Sequence, residues 1–66
     1  MRSIARFCGQ SGCGCPELFL DERAPEARRV VITDDFGQRV EMSRAQFGSI
    51  VAAAKSGALD NLAILP

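Results

Sequence analysis

The chain contains no histidine, no tryptophan and no tyrosine among its 66 residues. Histidine is the usual general base near neutral pH and the commonest nitrogen ligand for metals, so both roles lose their first candidate. With only four phenylalanines as aromatics, little remains on which nucleic-acid bases could stack. Neither sign of charge prevails, because eight basic residues meet eight acidic ones. A neutral chain argues against an electrostatic binder of nucleic acid or of a membrane surface. The longest apolar stretch, 50–54, is far too short to cross a bilayer. At the N-terminus, Met1-Arg2-Ser3-Ile4-Ala5-Arg6-Phe7-Cys8 places Arg6 where a signal peptide would need an apolar core. These absences predict a cytoplasmic, non-enzymatic protein without membrane or direct nucleic-acid contact.

What is present describes a folded module. Apolar residues make up 47% and charged residues 24%, a globular profile rather than a disordered one. At this length one domain, 1–66, is the only organisation available. Such a domain hides only about 60% of its unfolded surface, which leaves a thin stability margin.

Four segments follow one another. Residues 1–15 form a Cys/Gly-rich N-terminal segment whose glycines predict a loop or knuckle. Residues 16–42 carry the strand signals. Glu17-Leu18-Phe19-Leu20-Asp21 puts Leu18 and Leu20 on one face and Phe19 on the other. The β-branched run Arg29-Val30-Val31-Ile32-Thr33-Asp34 is the strongest of them. Asp35-Phe36-Gly37 predicts a turn, after which Val40 and Met42 alternate with Arg39 and Glu41. Residues 43–57 predict a helix: Ser43-Arg44-Ala45-Gln46 has the S-x-x-Q form of a capping box. Phe47, Ile50, Val51, Ala54 and Ala58 fall in one arc of that helix, and Gly57 supplies its stop. Residues 58–66 form an apolar tail. The expected fold class is α+β: a small antiparallel three-stranded sheet with one C-terminal helix packed on one face. The opposite face, holding Phe19, Val31 and Thr33, is expected to lie bare.

Cys8, Cys13 and Cys15 have C-x4-C-x-C spacing with glycines between them. Thiolates flexed by glycines can converge on one soft cation, and a zinc ion would staple a domain this small. Only three sulfurs are offered, however, so the fourth ligand would be Asp21, Asp34, Asp35, water or a second chain. Free thiols or one labile disulfide are therefore favoured over a metal, and no cofactor is expected unless it is one zinc ion. An exchange-active thiol is a further reading, with Cys8 able to resolve Cys13 or Cys15. Asp34-Asp35 could hold a cation but suits a hairpin turn better. Arg23, Arg28, Arg29, Arg39 and Arg44 have acidic neighbours and read as a mixed surface rather than a phosphate site. Ala45, Gly48 and Ala52 make a strip of small residues suited to close approach by another element. With Phe19, Val31, Leu62 and Leu65 they are the expected partner contacts.

The order of these features resembles a known family. Cys15-Pro16-Glu17-Leu18, Val30-Val31-Ile32-Thr33-Asp34-Asp35, Val40-Glu41-Met42-Ser43, Gln46-Phe47 and Ala54-Lys55-Ser56-Gly57-Ala58-Leu59-Asp60 are similar to motifs of small actinobacterial proteins catalogued as a domain of unknown function. Members are encoded beside helix-turn-helix regulators of the Xre type, and some serve as the regulator's protein partner. The resemblance spans about 13–60. Phe47 stands where the family has Trp, Thr33-Asp34-Asp35 where it has Arg-Asp-Ser, and the loop has three cysteines instead of one. The resemblance implies no catalytic residue. Its implied partner is a helix-turn-helix regulator, with self-association as a homodimer the other expectation.

Overall fold

β-Branched and leucine-rich segments pair in sequence order. The computed structural model describes residues 1–9 and 15–62. Its strands are β1 (Arg2–Arg6), β2 (Glu17–Leu20), β3 (Val30–Thr33) and β4 (Arg39–Met42). They form one antiparallel sheet in the order β1-β2-β3-β4. Gly37 turns β3 into β4 at φ 86, a backbone region that costs glycine nothing. The helix α1 runs Arg44–Lys55, and a single 3-10 turn occupies Glu26–Arg28.

Cross-strand register divides the sheet into two faces. Leu18, Ile32 and Val40 stand in one row and Leu20, Val30 and Met42 in the next, all on the same face. Phe19, Val31 and Glu41, then Glu17, Thr33 and Arg39, make the opposite face. Ile4 is the extra residue between Ser3 and Ala5 where β1 shifts register. Such a bulge lets a strand end with Arg6 opposite Glu17 while Ala5 still meets Leu18.

The helix has the ends its sequence predicts. Gln46 N donates to Ser43 Oγ at 3.0 Å, and Ser43 N donates to Gln46 Oε1 at 2.9 Å. At the other end Gly57 takes φ 85. Ala58 N donates to the Ala53 carbonyl at 3.0 Å and Gly57 N to that of Ala54 at 3.2 Å. These are the two bonds of a Schellman stop.

Three expectations are corrected. The sheet has four strands, not three. The bulge at Ile4 and the arginines at both ends hide the alternation of β1, which becomes a strand by pairing with β2. Helix packing is the second correction, because α1 has no buried residue. Phe47 is half-buried, whereas Ile50 is 41% and Val51 37% exposed. Beyond Phe47, Ile50 and Val51 the helix is largely alanine, and burying methyl groups contributes little per residue. Val31 is the third. It is only 2% exposed on the face expected to be bare. The 3-10 turn lies against β4 and Arg28 reaches Glu41, the neighbour of Val31 in its row, at 3.5 Å.

Cys8 and Cys15 are joined by a disulfide with a Cα–Cα distance of 4.9 Å. It lies just beyond the pair Arg6–Glu17, and Phe7 N donates to the Pro16 carbonyl at 2.9 Å between them. Closing a loop this short is worth roughly 2–3 kcal/mol on the chain-entropy account. In a domain with few buried side chains that is a large share of stability.

Burial sets the expected cost of truncation. Val31→Ala should destabilise the protein by about 2 kcal/mol in urea unfolding, while Val40→Ala, at a site 58% exposed, should stay within about 0.5 kcal/mol. Equal effects would contradict the burial of Val31 and the exposure of Val40.

Candidate partner-docking surface

Leucines 18 and 20 and Val30 present their shared face to the first turn of α1. Ile4 comes to them from the bulge, and Phe47 and Arg44 from the helix. Together with Phe19 these residues line a notch of about 180 Å³. Pockets for small molecules usually enclose about 300–1,000 Å³, so this notch has the size for one or two side chains of another protein. Its lining is apolar except for exposed Arg44. The capping box positions Phe47 by fixing the direction in which the helix leaves β4.

The apolar surface continues beyond the notch. Ile4 is 51% exposed, and Val40, Ile50 and Val51 are exposed as well. The chain's accessible surface is 5356 Å², whereas a compact monomer of this mass would show about 4,100 Å².

The expected contact residues divide. Phe19 borders the notch, although the register sets its side chain on the opposite face of the sheet. Val31 is buried and offers no surface. Ala45, Gly48 and Ala52 are exposed on the helix, and a Cβ built on Gly48 would meet nothing within 4 Å. Leu62 is exposed, and Leu65 lies outside the described residues. Ile4, Leu18, Leu20, Val30, Arg44 and Phe47 line the notch without having been expected contacts, and of these Leu18 and Val30 are buried at its floor. Phe47 carried a legible signal, as the first large side chain after the capping box. Ile4 carried none, because its place depends on the bulge.

Of the three cysteines, Cys8 and Cys15 are bonded to each other and Cys13 lies outside the described residues. Among the described residues no group of three or more Cys, Asp or Glu side chains could hold a metal ion. Three of the five arginines considered for phosphate instead meet carboxylates. Arg29 meets Glu26 at 2.8 Å, and Arg28 and Arg39 both meet Glu41. No helix among the described residues is long and apolar enough to cross a membrane.

Asp34 works in the turn. Its Oδ1 accepts from Phe36 N at 2.8 Å and from Gln38 N at 2.9 Å. These bonds, the one from Gln38 foremost, hold the carboxyl below the ordinary Asp range. A group whose folded pKa is depressed stabilises above its unfolded pKa, and that contribution fades as pH falls through the folded value. The β3–β4 hairpin should therefore weaken below about pH 4. Asp34→Asn should flatten that part of the stability–pH curve, and an unchanged acid limb would contradict the assignment.

No family model, no curated protein and no solved structure matches the chain.

Proposed function

We propose that the protein is a non-enzymatic interaction module whose apolar notch and adjoining helix face dock a helix-turn-helix transcription regulator. The observation that carries this reading is apolar surface on both sheet and helix, at Ile4, Val40, Ile50 and Val51, which the chain's own described residues leave exposed. Exposed apolar area around a shaped depression is the usual mark of a protein partner. The resemblance to the small actinobacterial proteins supplies the class of that partner. Such a regulator acts where the DNA is, so the module belongs in the cytoplasm, and it would alter DNA binding through the regulator, without nucleic-acid contact of its own.

The zinc reading of Cys8, Cys13 and Cys15 needs thiolates, and two sulfurs bonded to each other offer none. It applies to the reduced chain alone. Native mass spectrometry under reducing conditions separates the readings: one zinc, lost in Cys13→Ser, would support a metal module.

Docking is tested by mixing the purified protein with a helix-turn-helix regulator from the same genome at micromolar concentrations, read by sedimentation. A complex is expected, weakened at least tenfold by Phe47→Asp and little changed by Arg23→Ala on the β2–β3 connection. Sedimentation of the protein as a dimer that excludes the regulator would assign the surface to self-association instead. No complex in either form would overturn the proposal.

A further inference from the structure

We infer that the Cys8–Cys15 disulfide is a redox modification site, exchanging with a cellular dithiol, and that its reduction removes one wall of the docking notch. Exchange with a cellular dithiol and the control of docking rest on the proposed function; the loosening of β1 does not.

Among the described residues β1 is held by its ladder to β2 and by few side chains. It is an edge strand with hydrogen-bonded pairing on one side only, interrupted by the register shift between Ser3 and Ala5. Ala5 is its sole half-buried residue, the others being exposed. Its side-chain ties converge on one carboxylate, where the Ser3 hydroxyl donates to Glu17 and Arg6 meets Glu17 at 3.4 Å. Exposed pairs of that length contribute little. Where β1 ends, the Phe7 N–Pro16 carbonyl bond and the disulfide are the remaining ties among the described residues.

One observation and one consequence of the proposed function point to exchange. Cys8 is exposed and Cys15 half-buried, so a thiolate can reach the bond from solvent. In the compartment where a regulator's partner works, thiols are kept reduced, and the disulfides found there are usually transient or redox-sensing. The reagent thiolate attacks the Cys8 sulfur, and the Cys15 thiolate leaves and takes a proton. The reagent's second thiol then resolves the mixed disulfide, freeing Cys8 as a thiol. Two electrons and two protons pass to the protein, and the dithiol becomes a disulfide.

The consequence reaches the notch through Ile4. Released from its clip, β1 frays, and Ile4 leaves its place beside Leu18, Leu20 and Phe47. The β2–β3 core, which β1 only flanks, stays folded.

Amide hydrogen exchange by NMR, with and without dithiothreitol, tests this without any partner. On reduction the protected amides of Arg2–Arg6 should lose at least tenfold more protection than those of Val30–Thr33, which also carry the global loss that opening the loop brings. Cys13→Ser should behave as the native chain does, and the double variant Cys8→Ser, Cys15→Ser should exchange in the fast pattern without reductant. Unchanged β1 protection on reduction would overturn the inference, as would uniform loss across the sheet, which would make the bond a global staple. A fast β1 in a protein that binds no regulator would uphold the clip and remove the docking proposal alone.

Discussion

The pairing of β2 with β3 is the contact on which the molecule depends. Among the described residues Leu18, Val30 and Val31 are the buried hydrophobic side chains, and all three belong to these two strands. Leu18 and Val30 face the helix side, while Val31 faces the opposite way, so the centre of the sheet is covered thinly on both faces. Everything else is attached to that centre by weaker means. β1 hangs from β2 by its backbone and a disulfide, β4 follows β3 through an Asp34-capped turn, and α1 touches the sheet through its first turn.

Thin burial and function are linked here by geometry. A helix with larger side chains after Phe47 would gain enough from lying down to seal the face and erase the notch. Gly48, Ser49 and the alanines 52–54 around Ile50 and Val51 provide little such gain, and those two side chains remain exposed. The radius of gyration is 12.9 Å, against about 11 Å for a compact chain of this length. The molecule therefore keeps more surface than its own folding requires.

Local chemistry was legible in the sequence where it acts over a few residues. The capping box at Ser43 and Gln46, the glycine stop at Gly57, the turn at Gly37 and the three strands from Glu17 onward all follow from short-range rules. What could not be read depends on contacts across the chain. β1 lacks alternation because its bulge shifts register midway, so nothing in Arg2–Arg6 announces a strand before β2 is beside it. Which face is covered was misjudged for a similar reason. Val31 is sealed on the side where the connection between β2 and β3 carries Arg28 toward Glu41, and no periodicity encodes that path. The cysteine spacing allowed a disulfide among other states but could not select Cys8 and Cys15, whose meeting depends on the β1–β2 hairpin.

The central claim is that α1 leaves an apolar surface open to solvent in the isolated chain. Paramagnetic broadening of methyl resonances by a neutral, soluble gadolinium chelate measures this directly in dilute protein. The account requires strong broadening at Ile4, Val40, Ile50 and Val51, with Val31 spared. If Ile50 and Val51 were as sheltered as Val31, the helix would be lying on the sheet, and the open surface would not exist.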